Sequence, residues 1–247
     1  MNLERIKAGD VFTTNEGGKV VVVCDKKQQA LRVKHLDGFG HVAIVQSGNL
    51  RRGTVRNPYR PSASGIGYLG SGRHKALVDR KPSRAVTMWR NMLARCYGGH
   101  PKWASYAGTT VCTEWHNFQA FADWFDSQPQ KDLDGYEIDK DLLSGKSKSY
   151  CPENCCLVPS AINMLLNNAD APSRKHDLPT GVVADGNKFR AQVSRAGRRI
   201  RFGPFDTPDE ASAAYKAEKQ AYAKHLAEIH RDAIAIEVYD ALMKYEA

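Results

Sequence analysis

The stretch EIDKDLLSGKSKSYCPENCCLVPSAINMLL, residues 137–166, decides how the central part of this chain is interpreted. Its beginning is strand-like, GKSKS is a turn, and YCPENCCLVP is a second extended segment. SAINMLLNN then has the composition of a helix, with Pro159 just before it. Such a unit can bring the end of the first strand beside the first turns of the helix. We therefore expect side chains from these two places to share one site.

The polar residues in those places carry oxygen atoms. Asp139 and Asp141 lie at the end of the first strand, Asn154 follows a turn, and Asn163 lies inside the apolar helical segment. Mg²⁺ takes few protein oxygens and keeps places for water and phosphate. Each residue alone has an ordinary structural explanation, such as an ion pair or a helix cap. Their order and their predicted elements together favour a Mg²⁺ or Mn²⁺ site held by Asp139 and Asn163.

These residues resemble a known family. The pattern IDKD…PENCCLVPSAIN is similar to the core of the HNH endonucleases found among phage homing enzymes, which have a ββα-metal fold. By that resemblance Asp139 is the metal-binding aspartate, Asn154 braces the loop, and Asn163 is the metal ligand on the helix. The segment 88–125 resembles the one that precedes this core in such phage proteins. The resemblance implies a DNA endonuclease that hydrolyses phosphodiester bonds.

Lys140 departs from the family pattern, because it stands where the family has its catalytic histidine. A lysine keeps its proton near pH 7 unless it is strongly desolvated, and flanking aspartates favour the charged form. Lys140 can contact phosphate and stabilise developing charge, but it is a poor general base. Asp141, His116 or a metal-bound hydroxide would then serve as the base. Otherwise the chain is a non-catalytic DNA-binding or regulatory protein on a decayed HNH core.

Charge along the chain favours double-stranded DNA as the partner. The formal net charge is +9 over 247 residues. Lys and Arg exceed Asp and Glu by 11 to 5 in residues 1–60 and by 6 to 1 in residues 181–205. Residues 128–166 carry 4 basic against 6 acidic residues. Basic flanks suit a polyanion, and a local acidic patch suits a divalent cation.

The sequence also indicates in which cellular compartment the protein acts. It has no run of 18 apolar residues, and its beginning, MNLERIKAGD, lacks the apolar segment of a signal peptide, so we expect no membrane partner. The six cysteines are not spaced like a disulfide framework, which favours a location in the cytoplasm. If the chain is phage-encoded, this is the cytoplasm of the host cell. Four of them offer a structural zinc site as an alternative to buried thiols: Cys96, Cys112, Cys155 and Cys156. The oligomeric state stays open.

The predicted fold class is α+β. Three β-branched runs at 20–24, 30–35 and 41–46 predict a small β-barrel-like domain or a strongly bent sheet over 1–60. This domain suits a further DNA contact or protein docking equally. A linker or ordered loop follows at 61–82, the HNH-like domain at 83–170, and a second linker at 171–180. Two apolar helical stripes precede the ββα core: Trp89, Met92, Leu93 and Cys96, then Phe118, Phe121, Ala122 and Phe125.

The C-terminal part, 181–247, predicts a sheet packed on a helix. The segments KFRAQVSR (188–195) and RRIRFG (198–203) alternate with a period of two, so one face is apolar and the other is basic. A capping box at Thr207 and Glu210, with Pro208 between them, predicts the start of a long helix. Alanines at 211, 213, 214 and 217 would let that helix approach the sheet.

This segment resembles the DNA-binding domain of plant ethylene-response factors (APETALA type), which also occurs fused to phage homing endonucleases. The resemblance covers 181–223 and implies a three-stranded sheet that enters the major groove of DNA. Phe189 and Arg201 replace tryptophans of that family, so no sequence preference is implied. The implied DNA-contacting residues are Lys188, Arg190, Gln192, Ser194, Arg199 and Arg201.

Overall fold

The computed structural model describes residues 5–25, 30–145, 147–167, 178–195 and 197–246. Helices and several small sheets alternate along the chain, which confirms the α+β class. Residues 168–177, which include most of the second predicted linker, lie outside the described residues. None of the described helices combines the length and the apolar character needed to cross a membrane.

The N-terminal part is an antiparallel meander in the order β1-β2-β3-β4, followed by a short helix. Its elements are β1 (Val11–Thr13), β2 (Lys19–Asp25), β3 (Ala30–His35), β4 (Val42–Gln46) and α1 (Ser47–Arg51). The three predicted strands are confirmed, but the barrel alternative is wrong, because β1 and β4 remain unpaired edges in the described sheet. Four strands are few for a closed barrel. Leu50 of α1 packs instead against the apolar face formed by Val20, Val22 and Val33.

The loop after this sheet packs against the central part of the molecule. Ala63 is buried in the central core, and Gly67 lies so close to it that an added Cβ would be 2.3 Å from Leu93 Cδ1. A hairpin follows, formed by β5 (Leu77–Val78) and β6 (Lys81–Pro82). Residues 61–70 therefore form the ordered loop that the sequence offered as one alternative.

Two amphipathic helices build the central core. They are α2 (Arg84–Tyr97), capped by the Ser83 hydroxyl, and α3 (Phe118–Ser127), capped by Asn117, with the short β7 (Thr110–Val111) between them. Both predicted stripes are confirmed as core, except that Cys96 is only half-buried. The indole nitrogen of Trp89 donates to the carbonyl of Trp115 at 2.7 Å, so the buried polar atom is satisfied.

The stretch 137–166 forms the strand, loop, strand and helix that its sequence predicts. The elements are β8 (Tyr136–Asp139), β9 (Ser149–Tyr150), β10 (Cys156–Pro159) and α4 (Ser160–Asn167). Strands β8 and β10 are antiparallel, with Asp139 opposite Cys156, and β9 pairs with β7 in parallel. Helix α4 starts where β10 ends and packs against β8. The end of β8 and the first turns of α4 are therefore neighbours.

The C-terminal part is a three-stranded antiparallel sheet on a long helix. Its elements are β11 (Val182–Asp185), β12 (Lys188–Arg195), β13 (Arg198–Phe205), α5 (Pro208–Ile229) and α6 (Ile236–Met243). The capping box at Thr207 and Glu210 is present. Ala191 and Val193 face α5 and pack on Tyr215. Of the four alanines expected at the sheet, Ala211 is buried and Ala214 packs on it, whereas the other two are exposed.

Helix α5 connects the C-terminal sheet to the central core. Its first half packs on β12 and β13, while its second half packs with α6 on α4 and β10. We call this contact of α5 and α6 with α4 and β10 the α5 joint. Within it, Leu226 and Leu242 are 1% and 0% exposed. The Tyr136 hydroxyl adds a hydrogen bond to the Ala233 carbonyl at 2.8 Å. Helix α5 thus links the sheet to the ββα unit by packing against each of them in a separate apolar cluster.

Candidate functional site

Asp139 lies at the end of β8, buried at 4% exposure. Its Oδ1 accepts two backbone hydrogen bonds, from the amides of Asp141 at 3.0 Å and Leu142 at 2.8 Å, and so fixes the turn after the strand. Burial raises the pKa of the Asp139 carboxyl, the nearby Asp141 charge adds to this, and the two amide bonds oppose it. Both amide bonds fall on Oδ1. A cation near Oδ2 would stabilise the carboxylate in this poorly solvated position.

Asn163 lies in α4, 7% exposed, and its amide nitrogen donates to Oε2 of Glu137. Glu137 precedes Asp139 by two residues on β8, so both side chains leave the strand on the same face. The structure therefore brings Asn163 to the face of the strand that carries Asp139. The Ser160 hydroxyl shares its one hydrogen between the Gly135 carbonyl at 2.7 Å and Glu137 Oε1 at 3.1 Å.

Glu137 is the residue of this site that sequence reasoning missed. Its alternation with Asp139 along the strand was visible in the sequence, but its contact with Asn163 depends on how α4 packs across β8. The carboxylate accepts hydrogen bonds from two neutral donors, Ser160 and Asn163. It adds a further carboxylate to the face of β8 that carries Asp139.

Lys140 is buried at 8% exposure, and its ammonium lies 2.5 Å from Oδ1 of Asp141. The same ammonium lies 5.8 Å from the centre of the Tyr150 ring. Asp141 is more exposed, with 37% of its side chain accessible. Lys140 and Asp141 therefore form a partly shielded ion pair at the end of β8, beside Asp139.

The other two candidate residues differ in their surroundings. Asn154 donates to the Ser147 hydroxyl at 2.8 Å and to the Ser149 carbonyl at 3.2 Å, which ties the turn before β10 to the segment entering β9. A loop-bracing asparagine needs contacts of this kind. His116, the alternative base, lies 3.2 Å from the Val111 carbonyl and edge-on to Tyr97. The His116 ring therefore packs beside β7, where it contacts Val111 and Tyr97.

The donor set fits a hard cation better than a soft one. Asp139 and Asn163 offer carboxylate and amide oxygens, with Glu137 as a further carboxylate beside them. Within the described ranges, no group of three or more His, Cys, Asp or Glu side chains is arranged to hold a metal ion. In that part of the chain, neither the cysteines of the zinc alternative nor three carboxylates around Asp139 are gathered in this way. All six cysteines are free thiols, and burial raises the pKa of Cys155 and Cys156.

The basic face of the C-terminal sheet has the predicted composition. Gln192 pairs with Arg201 across the strands, and Ser194 pairs with Arg199, so these side chains share the face opposite α5. Arg201 donates to the Gln192 amide oxygen at 3.1 Å. Both arginines are exposed. This end of the sheet presents a flat, cationic, hydrogen-bonding surface.

The other end of the same face is partly neutralised. Lys188 is ion-paired with Asp206, and Arg190 lies 2.5 Å from Asp185. Within the described residues, no carboxylate lies at ion-pair distance from Arg199 or Arg201. These two side chains are therefore the implied DNA-contacting cations that carry unneutralised charge.

Comparisons with protein-family models, with curated proteins and with solved structures find no match for this chain.

Proposed function

We propose that this chain is a metal-dependent DNA endonuclease of the HNH homing type, which binds duplex DNA through its C-terminal sheet. The observation that carries the proposal is the packing of α4 across β8, which sets Asn163 against the strand face that carries Asp139. Asp139 and Asn163 would hold Mg²⁺ or Mn²⁺, with Glu137 beside them. Bound there, the cation would act as a Lewis acid on a phosphate oxygen.

The remaining residues of the site have separable roles in this proposal. The Lys140 ammonium stabilises negative charge that develops on the phosphate, because it lies in a shielded position where such an interaction is strong. Asp141 is the base that the geometry favours over His116, since its carboxylate lies at the same end of β8 and is accessible to water. It would take the proton of the water whose oxygen bonds to phosphorus. The P–O bond to the leaving sugar oxygen would break, and that oxygen would take a proton from solvent. Asn154 holds the loop that carries these groups.

The C-terminal sheet and the ββα unit both suit duplex DNA as the substrate. The exposed Arg199 and Arg201 suit phosphates and base edges of a duplex, and the α5 joint holds this sheet in a fixed relation to the ββα unit. A cleavage site attached rigidly to a DNA-binding sheet acts at a defined distance from the bound sequence.

A second candidate function is a non-catalytic DNA-binding or regulatory protein. The observation that favours it is the Lys140–Asp141 ion pair, because the two side chains are engaged with each other and not with a substrate. The choice depends on whether wild-type protein cleaves DNA.

The two candidates differ in what Lys140→His does to cleavage. We expect wild-type protein to nick or linearise supercoiled plasmid in Mg²⁺ but not in EDTA. We expect Lys140→His to cleave more slowly, because the ammonium that stabilises negative charge on the phosphate is lost. Agarose electrophoresis of timed samples measures both. If Lys140→His cleaves and the wild type does not, the natural chain is the non-catalytic DNA-binding protein. If neither protein cleaves, the endonuclease proposal is wrong.

A further inference from the structure

A cleft of about 360 Å³ lies between the outer face of α2 and strand β8. Helix α2 lines it with residues at helical spacing, and β8 lines it with Glu137 and its neighbours. The α2 residues are Arg84, Thr87, Met88, Asn91 and Arg95. The opposite face of α2 is buried in the central core. The cleft is therefore a groove with a mixed polar and apolar lining, built on one face of α2.

The two arginines of the cleft differ in their partners. Arg95 has a side-chain hydrogen bond with Tyr150 and interacts electrostatically with the Glu137 carboxylate, whereas Arg84 has fewer contacts. Within the described part of the chain, no Asp or Glu lies at ion-pair distance from Arg84 or Arg95, and Glu137 accepts hydrogen bonds from the neutral donors Ser160 and Asn163. Arg84 makes one long hydrogen bond, 3.3 Å to the Tyr136 carbonyl, and its Nη1 is buried with no partner among the described residues. A cation with an unsatisfied donor favours an anionic ligand.

The cleft reaches the proposed cleavage site through Glu137, which lines the cleft and accepts a hydrogen bond from the Asn163 amide. Arg95 lies at this end of the cleft, and Arg84 lies three helical turns away, about 16 Å along the axis. Several successive phosphates of one DNA strand can follow that length.

We propose that this cleft binds the phosphodiester backbone of the DNA strand that is cut, with Arg84 and Arg95 as its phosphate-binding residues. The inference rests on the proposed endonuclease function and names how its substrate strand is held. Asn91, exposed between the two arginines, offers an amide donor to the same backbone. Since phosphate contacts carry no sequence information, the cleft positions the strand, while the C-terminal sheet selects the site.

The test measures the salt dependence of duplex DNA binding by the full chain in EDTA, where no cleavage occurs. Each phosphate that a variant no longer neutralises should reduce the slope of log K against log salt by about 0.9. We expect Arg84→Gln to lower the slope by that amount and Arg84→Lys to restore most of it. Arg90→Gln is the matched control, because Arg90 is an exposed arginine of the same helix that does not line the cleft.

Arg95→Gln should lower the slope by the same amount. Arg95 also lies 5.9 Å and 5.8 Å from the ring centres of Trp103 and Tyr106, so its replacement can affect folding. If that variant unfolds, the Arg84 and Arg90 variants decide the matter. Equal slopes for Arg84→Gln and Arg90→Gln would overturn the cleft proposal even where the wild type cleaves DNA. A slope change at Arg84 alone would support the cleft even where no cleavage is found.

Discussion

We expect the double variant Arg199→Ala, Arg201→Ala to lose about 2–6 kcal/mol of binding free energy for duplex DNA, at about 1–3 kcal/mol for each arginine that reaches a base edge. Both side chains are exposed on the sheet face opposite α5 and have no carboxylate partner among the described residues. Lys188 and Arg190 should contribute less, because Asp206 and Asp185 already neutralise them.

Fluorescence anisotropy with a labelled duplex measures this affinity, and a salt series separates the two kinds of contact. An arginine that touches only phosphate weakens all sequences alike, whereas one that reads a base also relaxes the preference at that position. Lys216→Ala is the matched control, since Lys216 is an exposed cation of α5 that lies outside the sheet. An affinity of the double variant equal to that of the control would remove the sheet from the DNA interface.

Leu226→Asp should destabilise the whole chain by about 3–5 kcal/mol. Leu226 is 1% exposed in the joint where α5 meets α4 and β10, so the substitution removes apolar burial and places an unpaired charge in the core. Because this joint belongs both to the ββα unit and to the C-terminal helices, the destabilisation should appear in signals from both parts.

Urea denaturation followed by tryptophan fluorescence and by circular dichroism measures that destabilisation. The tryptophans lie in the central part of the chain, whereas the ellipticity also reports α5. Ile236→Asp is the matched control, because Ile236 is 64% exposed at the first position of α6, where an aspartate is tolerated. Its stability should stay within about 0.5 kcal/mol of wild type. If the two variants were equally stable, α5 would not dock on the ββα unit.

Local patterns in the sequence predicted the elements well. The period of two in 188–203 sorted Gln192 and Ser194 from Ala191 and Val193, because a strand between a helix and solvent needs different residues on its two faces. The capping box of α5 and the stripes of α2 and α3 also formed as expected. Each of these signals depends on neighbours within one element.

Features that depend on packing between distant elements were not predicted. Nothing in the sequence indicates that Glu137 accepts the Asn163 amide, since that contact needs α4 to cross β8 at a particular register. The alanine-rich helix was assigned to the sheet alone, yet its second half forms the joint with α4. The open N-terminal meander differs from the barrel alternative because strand composition does not encode closure.

The central claim, a hard cation held by Asp139 and Asn163 that supports DNA cleavage, is tested most directly by the rate of plasmid cleavage as a function of Mg²⁺ concentration. Asp139→Asn keeps an oxygen for the two amide bonds of the turn but removes the charge, and Asp134→Asn is its matched control because Asp134 is an exposed carboxylate before β8. We predict Mg²⁺-dependent cleavage for wild type and Asp134→Asn, and none for Asp139→Asn. Cleavage by Asp139→Asn at the wild-type rate and Mg²⁺ requirement would contradict the account.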